Sequence, residues 1–141
     1  MTKWIVRVGK ALVVLLVAMQ FVPVERTNPA VESNVPVAAE LKAILRRACY
    51  DCHSNETRWL WYSRIAPVSF LIANDVKEGR REVNFSVWNQ YTENRRARKL
   101  KEIVEQLEGN KMPQWYYVLV RPEAKLSASD KEMIINWAKQ G

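Results

Sequence analysis

The chain of 141 residues has one histidine, two cysteines and four glycines. One imidazole excludes any site that takes two histidines from this chain. Two thiols allow at most one disulfide within the chain. Together with the histidine they supply three ligands where a structural zinc cage takes four. No uncharged run reaches the roughly 20 apolar residues of a full membrane span. No alternating apolar and polar stretch is long enough to demand a sheet. No zinc-finger or RNA-binding signature is present, and a formal charge of +7, part of it from Lys3, Arg7 and Lys10, is too weak to argue for nucleic acid.

What the chain does have begins at its N-terminus. The three cations precede an uncharged run from Ala11 to Val24. Charge followed by apolar residues, segregated end to end, is the order of a signal or anchor segment. Phe21-Val22-Pro23-Val24-Glu25-Arg26 offers no small-x-small cleavage site, which favours an uncleaved anchor. A cleaved signal releasing a soluble periplasmic protein is the alternative. If residues 1–25 cross a bilayer, the positive-inside rule leaves the cations in the cytoplasm and the rest outside it, at a bacterial inner membrane facing the periplasm.

Residues 26–36, with Pro29, Pro36, Asn28, Asn34 and Ser33, read as a linker. Residues 37–141 read as one all-α domain. Leu41, Ile44, Leu45 and Ala48 mark one face of a helix over 37–48, with Pro36 suited to its first turn. A second helix is expected over 67–81, with Gly79 as its stop. A third is expected over 92–108, ended by Gly109. Its arginines and Lys99 lie near the start and its glutamates near the end, against the macrodipole; a solvated face explains this better than a docking surface. Ser127 or Ser129 caps a last helix, and Met133 falls near that helix's apolar stripe.

The first helix runs into Cys49-Tyr50-Asp51-Cys52-His53, which holds both thiols and the only imidazole. This spacing is the attachment pattern of c-type haem: the thiols form thioethers with the porphyrin vinyl groups, and the adjacent histidine ligates iron. Zinc lacks a fourth ligand, and a thioredoxin-like redox pair lacks its βαβ frame. An exported chain also admits a Cys49–Cys52 disulfide. With no second histidine, Met112 is the leading distal ligand, because it lies outside the helices with Pro113 beside it. A backbone carbonyl among residues 65–67 is the expected acceptor for the other His53 N–H. Trp59, Trp61, Tyr62, Arg64 and Trp115 are the candidate donors to propionates.

The runs Cys-Tyr-Asp-Cys-His-Ser-Asn-Glu-Thr, Trp-Tyr-Ser-Arg-Ile-Ala-Pro-Val-Ser-Phe, Asp-Val-Lys-Glu-Gly-Arg-Arg and Asn-Phe-Ser-Val-Trp, with the later Lys-Met-Pro and Pro-Glu-Ala-Lys-Leu-Ser, resemble the bacterial haem-binding domain family from about Pro36 onward. The resemblance implies a class I cytochrome c-like helical fold around one covalent haem c. It places attachment at Cys49 and Cys52, the proximal ligand at His53 and the distal ligand at Met112. Gln114 departs from a common second proline. Arg121 stands where a histidine is common before Pro122, which favours Met112 as the ligand. The expected function is single-electron transfer to redox proteins, acidic ones included, rather than enzyme catalysis. A haem sensor or peroxidase-like accessory protein is the alternative, and a haem-free interaction module with a Cys49–Cys52 disulfide is a third reading.

Overall fold

A computed structural model describes residues 2–141; Met1, the first residue of the expected anchor, lies outside them. The described residues form helices α1 (Thr2–Met19), α2 (Ala39–Ala48), α3 (Tyr50–His53), α4 (Val68–Glu82), α5 (Glu93–Glu108), α6 (Trp115–Val120) and α7 (Ala128–Gln140). Short 3-10 turns lie at Trp61–Arg64, Trp88–Gln90 and Pro122–Ala124. The only extended pairing among the described residues is an isolated bridge between Ser33 and Val87. The all-α class therefore stands.

The expectation of a membrane-crossing helix is corrected. No helix among the described residues is long and apolar enough to cross a membrane. Lys3, Arg7 and Lys10 occupy the first half of α1. Residues 11–19 leave about 14 Å of uncharged helix at ~1.5 Å per residue, about half of a ~30 Å hydrocarbon core. Side chains 3–18 are exposed on every side of α1.

Residues 26–36 are not a free tether. Asn28 Nδ2 donates to the Thr57 carbonyl at 2.9 Å, Asn55 Nδ2 donates to the Ala30 carbonyl at 2.7 Å, and Arg80 Nη1 donates to the Thr27 carbonyl at 2.9 Å. Val35 is buried in the core. That burial holds the chain extended past Pro36, so α2 begins at Ala39 and Pro36 stays outside it.

The core forms where α2, α5 and α7 bring Leu41, Ile44, Leu45, Leu100, Val104, Leu107, Ile134 and Ala138 together. An aromatic row extends it: the Tyr50 and Phe85 rings stack at 5.4 Å, Phe85 and Trp88 at 6.1 Å, and Trp88 meets Trp137 at 5.9 Å. The charges of α5 that oppose its macrodipole are held by tertiary contacts. Arg95 lies over the Tyr91 ring at 4.8 Å and Arg96 over Trp88 at 5.8 Å, while Lys99 is buried. Gly109 ends the helix as the sequence predicts, while Thr92 caps it from outside instead of forming its first residue.

At α7 the expected capping box is Ser127 with Asp130. Asp130 also pairs with Arg47 of α2 at 2.7 Å, tying the helix start to the helix that precedes the cysteines. Hydrogen bonding to Arg47, then to Ser127, depresses Asp130 to about 2 from 3.8. A depressed carboxylate stabilises the fold above its unfolded value and loses that contribution as pH falls through the folded one. Asp130→Asn is therefore expected to unfold at lower urea than wild type at neutral pH, with the difference closing between pH 3.8 and about 2. Urea midpoints across that range test it, and a difference that persists at the acid end rejects the assignment.

Candidate functional site

Cys49 closes α2 and opens α3, and the His53 N–H donates to the Cys49 carbonyl at 2.9 Å. One helical turn therefore sets Cys49, Cys52 and His53 on a shared face, because positions three and four apart align on a helix. All three line a cavity of about 360 Å³. Met112, on the loop between α5 and α6, lines the same cavity with Pro113 and Gln114. The fold thus brings together the four residues singled out in the sequence. Leu45, Ala48, Phe85, Ile103, Leu107 and Ile134 form apolar wall, a lining suited to a large flat organic ligand.

His53 is held by α4 rather than by residues 65–67. Its Nδ1 lies 2.9 Å from the Gly79 carbonyl and 3.2 Å from the Val83 carbonyl. Two acceptors facing Nδ1 require the proton there, which leaves the Nε2 lone pair free. Burial lowers the His53 pKa below its ordinary value and so favours the neutral ring.

Gly79 is not a helix stop, since α4 runs on to Glu82. A Cβ at Gly79 would sit 2.5 Å from the Cys52 carbonyl oxygen, so only glycine lets α4 lie against the Cys49–His53 turn. The sequence marked this glycine as special and misassigned the reason.

The two residues between the cysteines face away from the cavity wall. Tyr50 enters the aromatic core. Asp51 is buried and collects donors from three segments. Arg58 Nε donates at 3.1 Å and Arg58 Nη2 at 3.1 Å, the Tyr117 hydroxyl donates at 2.8 Å, and Arg121 Nη1 lies at 3.5 Å. Tyr116 beside it donates to Asp75 of α4 at 2.9 Å. Burial, then the Asp51 charge, raises Tyr117 far above the ordinary phenol range, so it stays a donor. No side chain of α6 is fully buried, though Tyr116, Tyr117 and Val118 are half-buried, and these two phenol–carboxylate bonds help hold α6 beside the cavity. Sequence reasoning missed Asp51. Its only signal was an acidic residue inside a motif whose inner positions are unspecified.

Trp59, Trp61, Tyr62, Arg64 and Trp115 do not line the cavity, which corrects their reading as propionate donors. Trp61 and Trp115 are surface residues instead. The donors on the cavity wall are Lys99, Gln106, Gln114 and Tyr117. Lys99 bridges Glu102 at 2.9 Å and Glu82 at 3.8 Å.

Cys49 and Cys52 are free thiols, each raised to about 12, mainly by burial. Among the described residues no cluster of three or more His, Cys, Asp or Glu is placed to hold a metal ion. Haem fits the donor set: two thiols on one turn, an imidazole with its Nε2 free, a thioether on the same cavity, and apolar walls. The family model described as a haem-binding domain matches residues 14–140. No curated protein and no solved structure matches the chain.

Three outcomes follow from this geometry. Gly79→Ala is expected to destabilise the protein although alanine is favoured over glycine in helices by ~1 kcal/mol; a raised midpoint in urea unfolding would show that α4 yields easily. Asp51→Ala is expected to cost about 3 kcal/mol in the same measurement, the low end for breaking a buried pair because Glu123 still faces Arg121. Tyr117→Phe, which removes one hydrogen bond, is expected to cost about 1 kcal/mol. Equal costs for the two would remove Asp51 from the centre of the network.

Proposed function

The chain belongs to the haem-binding domain family, and on that premise we propose that it is a monohaem c-type cytochrome that transfers single electrons outside the cytoplasmic membrane. The observation that carries the reading is the bond from His53 Nδ1 to the Gly79 carbonyl, with both thiols and Met112 on the same cavity. Cys49 and Cys52 would hold the haem through thioethers, and His53 and Met112 would supply ligands to its iron. When bound, the haem supplies a metal that changes oxidation state by one electron.

The protein's own residues have a simple task. Gly79 and Val83 hold the imidazole proton on Nδ1, and Leu45, Ala48, Phe85, Leu107 and Ile134 give the cavity apolar wall, with Asp75, Glu78, Glu82, Lys99 and Glu102 also on its lining. A buried hydrogen-bonded frame that moves little between redox states lowers the cost of electron exchange. No general acid or base is required, and the reading is of an electron carrier rather than an enzyme. A class I cytochrome c-like arrangement is proposed on the same grounds. Electron donors and acceptors are redox proteins, with acidic ones favoured by the net charge of +7. The N-terminal segment directs export and membrane attachment, which places the haem domain where c-type attachment occurs in bacteria.

One observation supports a sensor as the second reading. α6 lies just after Met112 and buries no side chain, so the segment that offers the thioether is held largely by polar bonds. Displacement of Met112 by a small ligand would then be accessible.

Protein made in a host with c-type maturation is expected to gain the mass of one haem. Its reduced spectrum is expected to be low-spin and unresponsive to carbon monoxide. Met112→Ala is expected to keep the mass, lose the thioether-to-iron charge-transfer band and bind carbon monoxide. Absence of added mass rejects covalent attachment. A carbon monoxide shift in the wild type favours the sensor, and a band that survives in the variant rejects Met112.

A further inference from the structure

The sequence Trp-Tyr-Tyr-Val-Leu-Val of α6 is apolar or aromatic at every position, yet it contributes nothing buried to the core. Trp115 is 73% exposed and Leu119 70%. Around the start of α4, Trp61 is 73% exposed, and Ile65, Val68 and Leu71 are also open to solvent.

These side chains share one surface. Val68, Leu71 and Asp75 follow helical spacing along α4, and Asp75 accepts from Tyr116 of α6. At the other end of α6, Arg121 lies against the Tyr62 phenol, next to Trp61. Single exposed apolar residues need no explanation, but a contiguous group of this kind marks an interaction site.

The position of α1 identifies the occupant. Gln20, one residue past α1, makes a two-way contact with the main chain at Ala66: its Nε2 donates to the Ala66 carbonyl at 3.2 Å, and its Oε1 accepts from the Ala66 N–H at 3.0 Å. The exposed apolar half of α1 therefore ends beside Ile65 and Val68. A helix apolar on all sides and uncovered by protein suits lipid, and here it is too short to cross alone. Indoles at the rim of an apolar face suit the boundary between headgroups and acyl chains. Arg64, exposed within the face, suits an anionic headgroup.

We propose that the face formed by Trp61, Ile65, Val68, Leu71, Trp115 and Leu119 rests on the bilayer, so that the domain lies against the membrane instead of hanging from a tether. The proposal rests on the reading of α1 as a membrane segment and does not depend on the haem. α1 and this face enter the same leaflet, the second supplying the apolar area that the first lacks.

The test is photo-crosslinking of the full chain to vesicles of phosphatidylethanolamine and phosphatidylglycerol. The probes are Leu15→p-benzoylphenylalanine in α1, Trp61→p-benzoylphenylalanine and Leu119→p-benzoylphenylalanine on the face, and Lys101→p-benzoylphenylalanine on α5 as the exposed control. Lipid adducts, read by mass, are expected at 15, 61 and 119 at yields several-fold above that at 101. Adding Trp115→Glu is expected to lower the yield at 61 several-fold and leave that at 15 unchanged. All these positions are at the surface, and circular dichroism confirms that each variant folds. Adducts at 15 without adducts at 61 and 119 overturn the docking face alone. No adduct at 15 overturns the membrane reading of α1 and the face with it. Protein–protein adducts at 61 or 119 in place of lipid assign the face to a second copy and also overturn the proposal.

Discussion

The contact on which the site depends is between two backbones. Gly79 of α4 lies against the carbonyl of Cys52 so closely that a single methyl group would be excluded. The same residue's carbonyl receives the proton of His53 Nδ1. One glycine therefore sets both the separation of α4 from the Cys49–His53 turn and the tautomer of the only imidazole. A side-chain acceptor for an imidazole N–H can be adjusted by substitution. Here the orienting group is main chain inside a helix, fixed by the helix's own hydrogen bonds.

A second network, built from charge, sits on the opposite side of the Cys49–His53 turn. Asp51 joins the turn to Arg58, to Tyr117 of α6 and to Arg121. Asp51 and Arg121 are both buried, so their interaction is little screened, whereas the Arg58 side chain is half exposed. The apolar cavity wall and this polar cluster thus lie back to back, separated by one helical turn. Segments with few apolar contacts, α6 above all, are positioned from the polar side.

Much of this was legible in the sequence, and the part that was not has a common cause. The helices over α2, α4, α5 and α7 followed from apolar spacing and caps, which are local signals. Cys49, Cys52 and His53 were singled out by their spacing and Met112 by the scarcity of other candidate ligands, and the fold places all four on one cavity. What failed depended on which segments meet. Gly79 near the end of a helical pattern reads as a terminator unless one knows that α3 crosses there. Residues 26–36 have the composition of a linker, but Asn55 and Arg80 donate to the Ala30 and Thr27 carbonyls within them, and Asn28 donates outward to the Thr57 carbonyl. The aromatic residues offered as propionate donors were chosen by type, and type does not distinguish an indole lining a cavity from one on the surface. In α1 the order of charge and apolar residues was read correctly, whereas the length of helix left after the cations was too short for a span.

A pattern written Cys-x-x-Cys-His leaves two positions open, and in this protein neither is free. Tyr50 is committed to the aromatic row and Asp51 to the charged cluster, while their neighbours face the cavity. The pentapeptide is therefore a three-sided joint, with chemistry on one side and two kinds of adhesion on the others. Transplanted into another helical scaffold, it would carry its reactive groups and leave behind the surroundings that orient them. The portable unit is larger: the turn, the stretch of α4 around Gly79, and the arginine and tyrosine that close on Asp51.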